Sequence, residues 1–175
     1  MTMRRALALV MIAGGVAGCA SMGMGAAKPG AVADLQPTTG NTARGKVTFT
    51  QEGDSVRVNA SLSGLRPGAE HGFHVHEKGD CSSGDGMSTG GHYNPDGKPH
   101  GPPNASHHAG DMPAVVADAY GNATAAFTLK GVSIGGGAAD LVGKGLIVHR
   151  DPDDYRTQPT GNAGPRIACA VIAKS

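Results

Sequence analysis

The chain has 175 residues, a length that fits one domain with a short extension. With 29 glycines, 11 prolines, no tryptophan and 3% aromatic residues, it has many turns and a core built mainly from aliphatic side chains. Its formal net charge of +1 gives no general basic field, so we predict no nucleic-acid binding. No stretch sustains an apolar period of three to four residues, which argues against a helical bundle.

Residues 1–18 have the features of an export signal. Two arginines precede an apolar run over residues 6–17, which is shorter than the roughly 20 apolar residues of a membrane-spanning helix. The run ends in Val-Ala-Gly-Cys at residues 16–19, which resembles the lipobox of bacterial lipoproteins, where the cysteine is acylated. We therefore predict a lipid on Cys19 and a membrane-anchored location in the periplasm or cell envelope. The alternative is an ordinary signal that is cleaved elsewhere.

We predict a lipidated flexible tether over residues 19–40 and a single domain over residues 41–175. The tether segment is rich in Ala, Gly and Pro and shows no periodic pattern. Beyond it, short segments alternate apolar and polar residues, or are apolar throughout between turn signals, as strands do. The predicted strands lie at Val47–Phe49, Val56–Leu62, His71–His76, Ala114–Ala117, Ala123–Leu129, Leu146–His149 and Ile167–Ile172.

Two long stretches between the predicted strands lack any regular pattern, namely residues 77–112 and 150–165. Loops of this length are uncommon in a compact domain unless they carry function. The pattern therefore indicates an all-β domain of short strands, in which the chemistry is to be sought in the two long loops.

All eight histidines lie between His71 and His149. In the strand over residues 71–76, a period of two places His74 and His76 on the same face, from which both imidazoles reach one metal ion. The pair alone is more typical of two exposed histidines. His149 ends an apolar strand, where a single histidine is also compatible with a hydrogen-bonded core residue.

The first long loop adds three further histidines and an aspartate. Three imidazoles and a carboxylate form a chemically sensible tetrahedral zinc set, and a metal would order a loop with little apolar content. The alternative is a polar, solvated loop. These four residues are His92, His100, His108 and Asp111.

The order and spacing of these segments resemble the copper/zinc superoxide dismutase family over the whole domain. The segments that carry the resemblance are His-Gly-Phe-His-Val-His-Glu at 71–77, Gly-His-Tyr-Asn-Pro at 91–95, His-Ala-Gly-Asp at 108–111, Val-His at 148–149 and Gly-Asn-Ala-Gly-Pro-Arg-Ile-Ala-Cys at 161–169. The resemblance implies a Greek-key β-sandwich or barrel with two long functional loops.

The resemblance also implies one copper and one zinc per chain. It makes the copper ligands His74, His76, His92 and His149. It makes the zinc ligands His92, His100, His108 and Asp111, with His92 bridging both ions. The spacing His-x-Gly-Asp favours His108 over its neighbour His107 as the third zinc histidine.

Further residues match positions outside the two ligand sets. Asp153 matches a carboxylate that orients one histidine of each metal, with Asp154 as the competing candidate. Cys81 and Cys169 match an intrasubunit disulfide. Arg166 matches the residue that binds and orients the anionic substrate beside copper. His71 lies outside both sets, and we expect it to hydrogen-bond within the scaffold.

The activity implied is the disproportionation of superoxide to dioxygen and hydrogen peroxide, in which the imidazole of His92 takes up a proton and returns it to peroxide. The substrate is the superoxide anion. Arg150 and Arg156 are candidates for long-range attraction of that anion. Membrane contact is expected through the lipid on Cys19, and both a monomer and a homodimer are compatible with the sequence. The alternatives are a copper-delivery protein on the same fold and a zinc-stabilised structural domain.

Overall fold

The structure is a computed structural model that describes Lys28 and residues 30–175. Ten strands and a single 3-10 turn at Met87–Thr89 make up its regular secondary structure. Among the described residues, no helix is long enough and apolar enough to cross a membrane. The strands are β1 Gly30–Pro37, β2 Arg44–Glu52, β3 Ser55–Ser63, β4 Glu70–His71, β5 Phe73–His76, β6 Val115–Val116, β7 Ala123–Lys130, β8 Gly145–His149, β9 Arg166–Val171 and β10 Ala173–Lys174.

The strands form an antiparallel barrel with Greek-key connections. One curled sheet has the order β5-β8-β9-β1-β2-β3-β7, and β10 pairs with β1. The short pair β4-β6 lies between its two ends, since β4 runs into β5 and β6 contacts β7. β4/β5, β6 and β7 therefore lie side by side in the order in which they follow one another along the chain. The next strand, β8, returns to pair with β5, and this is the Greek-key arrangement.

Alternation of side chains builds the core. In β3 the side chains of Val56, Val58, Ala60 and Leu62 are buried, and the residues between them are exposed or partly exposed. β5 and β8 differ, because every residue of both strands is buried. Phe73 in β5 belongs to the apolar core. The opposite face of these two strands is therefore not exposed to solvent, because the two long loops cover it.

All seven predicted strands are present, but the predicted tether over residues 19–40 is wrong for residues 30–37. Residues 30–37 form β1, which pairs with β2, β9 and β10 in the middle of the sheet. Ala31, Ala33 and Leu35 point into the core, at 2%, 0% and 1% exposure. Alanine has little β-propensity and little apolar area, so this alternation gives a weak signal in the sequence. The signal peptide and Cys19 lie outside the described residues.

The disulfide between Cys81 and Cys169 is formed, with the two Cα atoms 5.9 Å apart. It joins the first long loop to β9, and its two cysteines are 88 positions apart in the sequence. In the chain-entropy model a loop of that size stabilises the folded state by about 4–5 kcal/mol. The bond therefore fixes the start of the functional loop to the central part of the sheet.

The position of β1 leads to a stability prediction. Leu35→Ala should lower the free energy of unfolding by about 2–5 kcal/mol, because it leaves a cavity in the core. Asp34→Ala, one residue away on the exposed face, should change it by less than about 1 kcal/mol, since Asp34 makes only an exposed ion pair with Lys46. Urea unfolding of both variants checks this, and equal effects would contradict a core position for β1.

Candidate metal centre

The candidate site lies on the loop-covered face of β5 and β8. The alternation of β5 sends Phe73 and Val75 into the core and His74 and His76 to the opposite face. His149 ends β8, at a register shift between Val148 and His149. Such irregularities redirect a side chain at the end of a strand, and here the imidazole of His149 lies beside those of β5.

The first long loop folds back onto β5 and brings further histidines to the same place. The backbone N–H of Val75 donates to Gly110 at 2.9 Å, and that of Tyr93 donates to Val75 at 2.8 Å. Isolated bridge pairings also join His74 to Asp111 and His76 to His92. The loop thus extends the sheet by backbone hydrogen bonds, although it contributes no strand beside β5.

Two groups of potential ligands result, and His92 belongs to both. Within each group, one potential ligand atom from every residue lies within 4.8 Å of the others, and all the residues are buried. The first group, which we call the copper group, is His74, His76, His92 and His149. The second, the zinc group, is His92, His100, His108 and Asp111. The structure therefore brings together every residue predicted from sequence for each set.

Hydrogen bonds to backbone carbonyls fix which ring nitrogen of two copper-group histidines carries the proton. Nδ1 of His76 donates to the carbonyl of Gly90 at 2.9 Å, and Nδ1 of His149 donates to that of Gly164 at 3.0 Å. A carbonyl only accepts, so Nε2 of each neutral ring keeps its lone pair. Both lone pairs are therefore available to a cation.

The carboxylate of Asp153 does the same for one histidine in each group. Its Oδ2 accepts from Nε2 of His74 at 2.7 Å, and its Oδ1 accepts from Nε2 of His100 at 2.9 Å. In the neutral form of each ring, Nδ1 then keeps its lone pair. Asp154 instead accepts from the backbone N–H groups of Arg156 and Thr157 and stabilises a turn. The structure places Asp153, and not Asp154, between the two groups.

The pattern of unpaired atoms fits two cations. Leaving one buried polar atom without a hydrogen bond costs about 1–3 kcal/mol, so several in one place need an explanation. One is Nε2 of His71, whose Nδ1 donates to the backbone carbonyl of His149 at 2.8 Å, in the scaffold role expected. The other unpaired buried nitrogens are Nδ1 of His74, His100 and His108 and Nε2 of His76, His92 and His149.

The donor types match the two metals. Four imidazoles suit copper, and three imidazoles with one carboxylate are a tetrahedral zinc set. Oδ1 of Asp111 lies 2.8 Å from Nδ1 of His92, 3.0 Å from Nδ1 of His100 and 3.4 Å from Nδ1 of His108. His107 stays outside, because its Nδ1 donates to the carbonyl of His108. The residues present therefore fit both ions.

Burial lowers the pKa of three histidines of the copper group in the metal-free chain. It lowers the pKa of His74 to about 4, although Asp153 partly offsets the effect. It lowers the pKa of His149 to about 3, and a neighbouring His74 acts in the same direction. The pKa of His76 is also well below its usual value, chiefly through burial. Neutral imidazoles are the form that binds metal.

The zinc group differs from the copper group, because its carboxylate favours a positively charged imidazole at His100. Burial alone would raise the pKa of Asp111, but the imidazoles of His100 and His92 outweigh it and hold that pKa far below its usual range. Burial would likewise lower the pKa of His100, yet Asp111 and Asp153 together raise it to about 9. The carboxylates therefore attract a positive charge to this position, which a proton supplies when no metal does.

Arg166 opens β9 directly across from His149 in the strand register. One terminal nitrogen of its guanidinium donates to the carbonyl of Gly86 at 2.8 Å and to Oγ1 of Thr89 at 2.7 Å. The other donates to the carbonyl of Gly90 at 2.7 Å, the same oxygen that accepts from His76. The positive charge is thus held in one position beside the copper group.

The second long loop contains two arginines, Arg150 and Arg156. The guanidinium of Arg150 makes a two-pronged contact with Asp151, at 2.8 Å for its shortest hydrogen bond. Its positive charge is therefore largely balanced locally. Within the described residues Arg156 makes no ion pair of 4.0 Å or less. Attraction of the substrate by these two side chains stays a prediction.

Two residues that hold the site, Thr89 and Gln158, gave no signal in the sequence, and Gly161 entered only as part of a segment that resembles the family. Thr89 is completely buried and supports Arg166. The side-chain amide of Gln158 binds the backbone of His100. A Cβ atom at Gly161 would approach Nε2 of His100 to 2.5 Å, so that loop packs directly on the ring. All three act through contacts between segments far apart in sequence, which no local pattern reveals.

Comparison with known proteins agrees with the fold and the site. The family model described as copper/zinc superoxide dismutase matches residues 43–172. The chain is 44% identical over 138 residues to Superoxide dismutase (Cu-Zn) 2 of Brassica juncea, a match that covers 74% of this chain and 88% of that one. The chain belongs to the copper/zinc superoxide dismutase family.

Two solved structures are similar over most of their length. The clock protein EA4 has a TM-score of 0.76 and 40% identity, covering 83% of this chain and 94% of that one. A double mutant of a SOD-like protein from Bacillus subtilis has a TM-score of 0.72 and 35% identity, covering 81% and 96%. The chain is thus an enzyme that disproportionates superoxide with copper and zinc as cofactors.

The lowered pKa values of His74 and His149 predict acid sensitivity of the metal-free protein. Histidines of the unfolded chain titrate near pH 6.5. Below that pH the unfolded chain therefore binds protons at His74 and His149 that the folded chain does not bind. The stability contributed by these two neutral rings is complete above about pH 6.5 and is lost as the pH falls through about 4 and 3. Chelator-treated protein should lose about 2 kcal/mol or more between about pH 7 and about pH 4.5 in urea unfolding.

A pair of variants isolates the effect. His149→Ala should flatten this pH dependence, because it removes one of the two buried imidazoles with a lowered pKa. His107→Ala, outside both groups, should leave the slope unchanged. A free energy of unfolding that stays level over this pH range in the parent protein would show that burial does not keep these rings neutral.

Proposed function

We propose that the copper group and the zinc group bind one ion each, that His92 is shared between them, and that the loaded protein removes superoxide in the cell envelope. The observation that carries the ligand assignment is the set of six buried, unpaired ring nitrogens that face each other within the two groups. In the neutral rings of four of these residues, the hydrogen bond of the outer nitrogen leaves the inner lone pair for a metal ion; they are His74, His76, His100 and His149.

Copper supplies one-electron redox chemistry when bound, and zinc has none, so zinc orders the loop and tunes the shared imidazole. The reaction consumes two superoxide ions and two protons and yields dioxygen and hydrogen peroxide. The chain must therefore bind an anion, orient it and supply a proton to the oxygen that becomes peroxide.

His92 is the residue placed to handle that proton. Its Nδ1 lies 2.8 Å from Oδ1 of Asp111, and its buried Nε2 faces the copper group without a hydrogen-bond partner. A proton held at Nε2 would lie next to the oxygen being reduced. With Nδ1 of His92 and the carboxylate of Asp111 both bound to zinc, the ring would stay oriented while Nε2 takes up and releases the proton, as general acid catalysis requires.

Arg166 is the residue placed to bind superoxide. Its side chain is half-buried, and three hydrogen bonds at 2.7–2.8 Å hold the guanidinium in one orientation. A fixed charge in a partly desolvated position stabilises an anion more strongly than a mobile exposed one. Arg166 therefore orients the substrate and stabilises the charge that builds up as peroxide forms.

Loss of the copper ligand and loss of the arginine should have different effects. His149→Ala should abolish rapid turnover and lower the bound copper below about one ion per chain. Arg166→Ala should retain both metals and reduce turnover by about a hundredfold, the typical effect of removing one fixed anion-stabilising donor. Superoxide disproportionation and metal content measured on the same samples test both expectations.

Arg57→Ala is the matched control, because it removes an equal charge at an exposed ion pair with Glu52 on the far strand β3. Its turnover should equal that of the parent protein. Full copper and zinc in the parent protein without turnover would overturn the proposal, and would indicate a copper-handling protein instead.

The location in the envelope is supported by the sequence of residues 1–19, with its two arginines, short apolar run and Val-Ala-Gly-Cys ending. The disulfide at Cys81–Cys169 is consistent with an oxidising compartment such as the bacterial periplasm. We therefore extend the proposal to a membrane anchor through lipid on Cys19.

A homodimer would need an apolar contact, and Val171 in β9 is an apolar side chain with 42% exposure.

Cys19→Ser should release the protein from the membrane fraction of a bacterial host, since no acyl acceptor remains at the predicted cleavage site. The measurement is the partition of dismutase activity between membrane pellet and soluble extract, together with incorporation of labelled palmitate. Ser21→Ala serves as the neighbouring control. Parent protein that carries no label and stays in the soluble extract would contradict the anchor.

A further inference from the structure

The side-chain amide of Gln158 joins the two long loops through a two-pronged contact. Its Oε1 accepts a hydrogen bond from the backbone N–H of His100 at 2.9 Å, and its Nε2 donates to the backbone carbonyl of His100 at 2.9 Å. The two residues are 58 positions apart. A single amide therefore satisfies both polar backbone groups of a residue in the zinc group.

His100 depends on contacts of this kind because its own loop gives it little support. Residues 95–107 contain no strand and no helix, and His100 has only 3% exposure. Among the described backbone-to-backbone hydrogen bonds outside the strands, none involves His100. Buried N–H and C=O groups without partners would cost about 1–3 kcal/mol each.

The same loop that carries Gln158 also holds the ring of His100. Asp153 accepts from Nε2 of the ring at 2.9 Å, and Gly161 packs so closely that it leaves no room for a Cβ atom. Tyr155 stacks over the imidazole with an interplanar angle of 5°. Backbone and ring of His100 are thus fixed from one side by residues 153–161, which determines where its Nδ1 points.

We propose that Gln158 is a positioning residue for zinc, acting by holding the backbone of His100 so that Nδ1 of the ring points into the zinc group. This inference rests on the proposed assignment of His100 as a zinc ligand. Outer partners of metal ligands typically contribute 10–100-fold to metal affinity, and Gln158 acts one step further out, on the backbone. We expect its loss to weaken zinc binding by about tenfold.

An amide is the side chain that this contact requires. It presents an acceptor and a donor at the same end, to match one N–H and one C=O. Gln158→Glu keeps the acceptor for the N–H of His100 but places a second oxygen against the carbonyl. Gln158→Leu has a similar size and removes both hydrogen bonds. Gln158→Leu therefore tests the loss of both bonds, whereas Gln158→Glu keeps one bond and turns the other into a repulsive contact.

Gln51 offers a matched control at a distance from the metal centre. Its amide also joins backbone groups, accepting from the N–H of Ile134 at 2.9 Å and donating to the carbonyl of Ser55 at 3.1 Å. Gln51→Leu should lower the melting temperature without changing zinc affinity. A general loss of stability is thereby distinguished from a loss of positioning.

The experiment measures the dissociation constant for zinc by chelator competition on protein expressed from the full chain. The parent, Gln158→Leu, Gln158→Glu, Gln51→Leu and His100→Ala are compared. Cobalt(II) replaces zinc in a parallel series, because its visible absorption reports ligand geometry. Gln158→Leu should raise the zinc dissociation constant about tenfold and alter the cobalt spectrum. Gln51→Leu should match the parent in both.

His100→Ala separates the two ways in which the idea can fail. If His100→Ala binds zinc as tightly as the parent, the ligand assignment itself is wrong. If His100→Ala loses zinc while Gln158→Leu keeps the parent's dissociation constant and cobalt spectrum, the assignment stands and the positioning role of Gln158 is overturned.

Discussion

The carboxylate of Asp153 is the contact on which the metal centre depends. One oxygen accepts from His74 on β5, and the other accepts from His100 in the first long loop, while Asp153 itself belongs to the second. With 5% exposure, it is desolvated together with its partners. Strand and both loops therefore meet at a single anion, and each ring it binds has its lone pair directed toward a metal position.

This arrangement explains why β5 and β8 are buried on both faces. A strand in a small barrel normally has one apolar face inside and one polar face in water. Here the outer face carries imidazoles, and the loops that cover it contain few apolar residues. Carboxylate–imidazole and backbone hydrogen bonds, together with the disulfide, hold these loops in place of apolar contacts, and bound metal ions would add to them.

The sequence predicted which residues lie together in the two groups, and it predicted most of the strands. His74 and His76 follow from alternation in one strand, and the loop histidines follow from a family resemblance over dispersed segments. The strand β1 was not predicted because Ala31 and Ala33 have too little apolar area to signal burial. Gln158 was not predicted because its role exists only through pairing with His100, 58 residues away.

The carbonyl of Gly90 accepts from both His76 and Arg166, so one oxygen serves the proposed metal ligand and the side chain proposed to bind substrate. A substitution that moves this peptide shifts both at once. If the proposed roles hold, metal retention and substrate affinity are not independent traits, and mutations at the Met87–Gly90 turn would change them together.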